Sequence, residues 1–134
     1  MSTKAPIGPG WFWVAVQALV VLAETNEACP STTIAQDLKT HAVFLRRVMT
    51  LLVRAEIVEA REGRDGGYRL ARPATEITLA EVFRAIRAIQ QDEEHACIRA
   101  TNAPAQVALE QVRQDLDRCN LEVLSRYTVG SLVQ

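Results

Sequence analysis

The stretch Arg61-Glu62-Gly63-Arg64-Asp65-Gly66-Gly67-Tyr68-Arg69-Leu70 leaves this chain few conformations to choose from. To its left Ile57-Val58-Glu59-Ala60-Arg61 alternates apolar and polar residues, and to its right Tyr68-Arg69-Leu70-Ala71-Arg72 does the same. Such alternation marks a half-buried strand, so two strands flank a glycine-rich loop and the segment is expected to form a β-hairpin. Gly63, Gly66 and Gly67 are read as turn positions of positive φ, which glycine takes without steric cost. Arg64 then stands at the tip with nothing nearby to bury it. An exposed arginine on a narrow tip suits the strong negative potential of a narrow DNA minor groove. Most glycine hairpins are only turns, so what precedes this one decides its meaning.

Upstream, two short helical patterns follow each other closely. Ser31 or Thr32 is expected to cap a helix whose Ile34, Ala35 and Leu38 form the inward stripe and which ends near Lys39. After a tight turn at Lys39-Thr40-His41, a second helix is expected over 42–55, with Phe44, Leu45, Val48, Met49 and Leu52 turned inward. Its opposite face carries Val43, Arg46, Arg47, Thr50 and Arg54. Helix, short turn, helix, then strand, loop and strand is the order of a winged helix-turn-helix, whose second helix enters the major groove. A charged helix face alone is ordinary, but joined to a basic-tipped hairpin it points to double-stranded DNA as the partner. The expected contacts are Thr32 on the first helix, Val43, Arg46, Arg47, Thr50 and Arg54 on the second, and Arg61, Arg64, Gly66 and Gly67 on the wing.

The charge distribution agrees. The net charge of −1 conceals eight Lys/Arg against five Asp/Glu over residues 31–72, and six against nine over residues 73–134. Positive charge is thus placed where a polyanion would be met. At 134 residues, 49% hydrophobic and 23% charged, the chain has the balance of a soluble globular protein of one domain. A first helix is expected from about Trp11 to Thr25. It is apolar nearly all round, implying burial on more than one side, with Trp11 and Trp13 read as packing residues. The apolar run is too short to span a bilayer, and only Lys4 precedes it, so the reading is a cytoplasmic protein without a membrane partner. Three widely spaced cysteines, Cys29, Cys97 and Cys119, offer no disulfide framework and no CxxC, which fits a reducing compartment. No nucleophile, base and orienter set, phosphate loop or metal-binding run is present, so an enzyme is not expected.

The chain is expected to divide into a flexible lead over 1–10, a winged helix-turn-helix domain over 11–90, a sensor-type loop over 91–101 and a dimerisation helix with its tail over 102–134. After Pro73, the run from Ile77 to Ile86 reads as an amphipathic helix with Thr78 as N-cap and Glu81 completing a capping box. The polar stretch that follows contains His95 and Cys97. From Asn102 a last helix is expected to reach Tyr127, with Ala105, Leu109, Val112, Leu116, Cys119 and Val123 at alternating spacings of three and four. That is a heptad seam, and it needs a partner helix. A homodimer through this helix is the simplest partner, and it would present two wings to a palindromic operator. The fold class is therefore mainly α with a small β-hairpin: a winged helix-turn-helix domain plus a long C-terminal dimerisation helix.

Ile34-Ala35 through Leu45, Leu52, Ile57-Val58, the Gly66-Gly67-Tyr68 wing and Ile77-Thr78-Leu79-Ala80-Glu81-Val82 together resemble the IscR/NsrR/CymR family of bacterial winged-helix regulators, also called the Rrf-two family. The likeness covers roughly residues 10 to 90. It implies a dimeric transcription factor with helix 42–55 in the major groove, wing 63–67 in the minor groove, and base-reading side chains at Arg46 and Arg47. Lys39-Thr40 stands where a glycine is often found, and Glu56 where a glycine usually precedes the wing. Cluster-binding relatives carry three closely spaced cysteines after the fourth helix, because thiolates must converge on one iron pair. Here Cys97 is alone in that region, and the arginine pair resembles a branch without a metal cluster.

The function expected is a sequence-specific repressor on a palindromic operator, without a cofactor, and responsive to a thiol signal or to an effector that is unknown. Cys97, beside His95 and Arg99, is the first candidate for a redox thiol, and Cys119 on the seam the second. Two alternatives stay open: an iron–sulfur sensor with atypical ligands drawn from Cys97, Cys119 and His95, and a winged-helix module for protein assembly.

Overall fold

Helix α1 (Gly10–Ala23) has Gln17 as its one polar side chain, and the fold is arranged to cover it. The computed structural model describes residues 10–25, 27–64, 66–87 and 103–133. The lead before Gly10 and the stretch holding His95 and Cys97 lie outside the described residues. Phe12, Ala15, Val16, Ala18, Leu19 and Leu22 of α1 are buried. Around it pack α2 (Ser31–Leu38), α3 (Ala42–Arg54), β2 (Gly67–Leu70) of the two-stranded wing, and a short terminal helix, α6 (Val129–Leu132). Leu19, Ile34, Leu45, Met49 and Leu52 are fully enclosed, each contributing about 1.5–3 kcal/mol of burial.

The helix-turn-helix begins differently from expectation. Neither Ser31 nor Thr32 caps α2; its N-cap is Pro30, extended at φ −61°, ψ 149°, and no side chain caps the end. The Pro30 carbonyl accepts from Thr33 and Ile34 at 3.1 and 3.2 Å, so the helix starts at once after a proline that has no N–H to satisfy. Leu45, Val48, Met49 and Leu52 of α3 point inward as expected and Leu51 joins them, while Phe44 is half-buried against α1. Both helices close in the same way. Thr40 N–H donates to Ala35 O and Ile57 N–H to Leu52 O, both at 3.0 Å, around left-handed residues Lys39 (φ 54°) and Glu56 (φ 62°). These are Schellman closures, in which glycine usually holds the left-handed site. The two residues that replace glycine keep its backbone conformation.

The wing pairs β1 (Val58–Arg61) with β2, antiparallel, in the register Val58 with Leu70, Glu59 with Arg69, Ala60 with Tyr68 and Arg61 with Gly67. Gly63 and Gly67 take positive φ, but Gly66 does not. Gly66 is needed for space, because a Cβ there would lie 2.5 Å from the Arg61 carbonyl oxygen. Gly67 needs both freedom and space: at φ +145° its missing Cβ would overlap the backbone of Cys29. That closeness allows Cys29 and Tyr68 to exchange two backbone hydrogen bonds, at 2.9 and 2.8 Å, so the residues entering α2 run beside the wing as a third strand one bridge long.

A 3-10 turn at Ala74–Glu76 leads to α4, described over 79–87. The expected capping box is present: Glu81 Oε2 accepts from Thr78 N at 3.0 Å and Thr78 Oγ1 from Glu81 N at 3.2 Å. Arg72 adds a 2.7 Å ion pair to Glu81. Partial burial pushes the Glu81 carboxyl up, but the Arg72 and Thr78 hydrogen bonds outweigh it and hold the group below its ordinary value. Helix α5 (Ala103–Leu124) stops short of Tyr127. The residues after it turn back: Leu79 N–H donates to Tyr127 O and Val129 N–H to Ile77 O, and Val129 is fully buried. Gly130 lies so close to Thr75 that a Cβ would sit 2.7 Å from its methyl. Arg87 at the end of described α4 pairs with Asp117 of α5 at 3.2 Å, and the same carboxylate oxygen accepts from Arg113.

Replacing Lys39 or Glu56 by glycine relieves about 1–2 kcal/mol of left-handed strain and costs about 0.5–1 kcal/mol in chain entropy. Both side chains are exposed, so each variant is expected to be more stable by about 0.5–1 kcal/mol in urea unfolding. A lower midpoint in both would contradict these backbone assignments.

Candidate nucleic-acid interface

Every side chain assigned to the outer face of α3 is exposed: Val43, Arg46, Arg47, Thr50 and Arg54. At about 100° per residue, Val43, Thr50 and Arg54 fall in a strip about 40° wide, with Arg46 outside one edge and Arg47 outside the other. The two arginines are thus presented differently. Arg47 leans toward α1, where its guanidinium carbon lies 4.9 Å from the centroid of the Trp11 ring. Trp11 in turn meets Phe44 edge to face at 4.9 Å. The stack joins an arginine of α3 to the first turn of α1, and it restricts Arg47 to the α1 side of the face. Thr50 is committed as a donor, its hydroxyl giving its proton to Arg46 O at 2.8 Å. Thr32 is exposed on α2.

On the wing, Arg61 and Arg64 are exposed, and with Gly66, Arg69 and Pro30 they line one concavity that also includes Glu27. Arg69 is not among the contacts expected from the sequence pattern. Its strand position, two after Gly67, is legible there, but its place in the concavity depends on the Cys29–Tyr68 bridge that brings Pro30 alongside. Arg69 also pairs with Glu59 across the strands at 3.2 Å, with both partners well exposed. Such an exposed pair contributes little to stability. Trp11 is the other residue whose role the pattern does not disclose, because no periodicity links it to Arg47.

The cysteines are dispersed. Cys29 is half-buried at the wing, where burial first, then Asp37 and Glu27, push its thiol above the ordinary value against a hydrogen bond from Thr25. It is a poor nucleophile there. Cys119 is exposed on α5, and Cys97 lies outside the described residues. Among the described residues no three His, Cys, Asp or Glu side chains come together where they could hold a metal. Nor is any described helix long and apolar enough to cross a membrane.

The chain matches the model of a family described as Rrf2, iron-dependent transcriptional regulator, over residues 12–134. It is 49% identical over 43 residues to the helix-turn-helix protein Rv1287 of Mycobacterium tuberculosis (strain H37Rv), a match covering 32% of this chain but 27% of that relative's length. With YwnA of Bacillus subtilis (strain 168) it shares 31% identity over 99 residues, 74% of this chain and 71% of the relative. The fold is similar to the crystal structure of Staphylococcus aureus CymR, with a TM-score of 0.66 at 19% identity, covering 94% of this chain and 97% of that one. Of the side chains considered as ligands for the iron in the family's description, Cys119 is exposed on α5, and His95 and Cys97 lie outside the described residues. With a winged helix that carries exposed arginines on its second helix and its hairpin, and a family match that runs over residues 12–134, the protein belongs to the Rrf2 family, described as transcriptional regulators.

Proposed function

We propose that the protein acts as a homodimer on a palindromic operator, with α3 in the major groove and the wing in the adjacent minor groove of each half-site, and represses by occupying that DNA. The observation that carries this reading is the supply of exposed arginines on the two elements a winged helix offers to DNA: Arg46, Arg47 and Arg54 on α3, and Arg61 and Arg64 on the wing. In the groove Arg46, free of the Trp11 stack, is the base reader, able to grip the O6 and N7 of guanine with two parallel hydrogen bonds. Arg47, held by Trp11, is placed toward the edge of the face, where phosphates lie. Arg61 and Arg69 supply positive charge around the wing concavity.

Dimerisation is supported by the seam. Leu109, Val112, Leu116 and Val123 of α5 are all exposed, Leu116 at 59%, and Cys119 lies among them. An exposed apolar row of this length marks an interaction surface. A second copy of the same helix offers a complementary row under two-fold symmetry. The helix is also anchored: its middle is held to α4 by Arg87 and Asp117, and its exit returns to α1 through Val129. A dimer formed on α5 would therefore carry both winged domains in defined positions.

Selection from random duplexes is expected to enrich a palindrome, bound with strong salt dependence. About six phosphate contacts in the dimer correspond to a loss of about 10³ in affinity between 50 and 200 mM salt. Flat affinity would favour the protein-assembly reading. Arg46→Ala is expected to cost about 1–3 kcal/mol and relax choice at one base position. Leu109→Glu with Leu116→Glu is expected to sediment as a folded monomer with weakened operator binding; an intact dimer would move the interface away from α5. Trp11→Leu is expected to weaken binding several-fold in the parent, since a cation–π stack contributes about 0.5–1 kcal/mol, and to have little effect in an Arg47→Ala background. Equal losses in both backgrounds would show that Trp11 does not act through Arg47.

A further inference from the structure

At the first turn of α3 the outer face between Arg46 and Arg47 is apolar; Arg54, which shares the strip, stands about three turns further along. Val43 is a large apolar side chain, 68% exposed, in the first turn of the helix, and nothing described in the fold covers it. As a β-branched residue it adds nothing to helix formation that alanine would not add better. Yet it occupies the middle of the strip bordered by Arg46 and Arg47. Thr50, its neighbour two turns along, has its hydroxyl proton bound to the Arg46 carbonyl and cannot donate it to a base. The Thr50 hydroxyl keeps only its acceptor capacity, so donors to bases on this face come from the arginines, and at the first turn the space between Arg46 and Arg47 is left to the methyl groups of Val43. The N-terminal residues of a recognition helix are those that reach base edges. In the major groove one apolar feature distinguishes the bases, the 5-methyl group of thymine.

From this geometry we infer that Val43 reads a thymine 5-methyl in each half-site, next to the base pair gripped by Arg46. The inference rests on the DNA-binding reading above and adds the identity of a base and the group on it that is recognised. The contact removes one methyl group and much of the Val43 side chain from water, and it places that apolar side chain against the one base edge that carries a methyl group. Arg46 on one border holds the register while the methyl contact discriminates thymine from cytosine and from uracil.

The test uses the full-length protein and the duplex it selects. Each thymine in turn is replaced by deoxyuridine, which keeps base pairing and removes the methyl group alone. One symmetric position is expected to lose about fourfold in affinity per half-site, the equivalent of about 0.8 kcal/mol for one buried methyl. In Val43→Ala, which removes an exposed side chain and leaves the core intact, that position is expected to become indifferent to the replacement, while Arg46→Ala keeps the sensitivity. A series flat at every thymine overturns the inference, as does undiminished sensitivity in Val43→Ala, since the methyl would then be read by another group or through DNA shape. Failure to select any duplex would overturn the DNA-binding reading itself, an outcome distinct from either.

Discussion

Two backbone hydrogen bonds between Cys29 and Tyr68 hold the wing and the helix-turn-helix in relation to one another. They require Gly67, because any side chain there would occupy the space of the Cys29 backbone. Through them the wing is paired on one side to β1 and on the other to the residues that become the first turn of α2. Since α2 runs into α3 through a tight Schellman closure, the wing and α3 share one rigid frame. An isolated two-stranded hairpin is marginal in water. Here the third, one-bridge strand and the packing of β2 on α1 give it the support that two strands lack. The frame is what would allow one base pair and the groove beside it to be met together.

The same frame distinguishes the arginines. On α3 the backbone places Arg46 and Arg47 at opposite borders of a narrow strip, and the ring of Trp11 then holds one of them. An arginine in water has many rotamers to lose on binding. Stacking Arg47 on an aromatic that is itself packed against Phe44 removes part of that freedom before DNA arrives. Arg46 is exposed outside that stack, as its proposed role as base reader requires. Between them, at the first turn, lies Val43, so this part of the face alternates charge, methyl and charge over about one quarter of the helix circumference.

The chain is also drawn together between α4 and α5. Arg87 and Asp117 join α4 to α5, Arg113 shares the same carboxylate oxygen, and the residues after α5 pair with Ile77 and Leu79. The helix with the exposed apolar seam is thereby tied to the winged domain at its middle and at its exit. Any change in how two copies met along α5 would be transmitted to α4 and to α1 through packed or paired side chains rather than through a free tether.

The elements that depend on near neighbours along the chain are legible in the amino-acid order alone. Period-two alternation around Gly63 to Gly67 announces the hairpin, the three-and-four spacing from Ala105 to Val123 the long helix, and Thr78 with Glu81 the start of α4. The hydrophobic face of α3 and the exposure of its arginines follow from the same periodicity, because burial of one face of a helix leaves the other to solvent. What joins distant segments was decided only by tertiary packing. The start of α2 at Pro30 rather than at a serine or threonine cap follows from the strand pairing of Cys29. Gly66 is demanded by a carbonyl oxygen that folding brings near, not by its own φ. Trp11 meets Arg47, and Val129 fills the core beside α1, because helices that leave no pattern in each other's sequence are pressed together by the apolar surface they share.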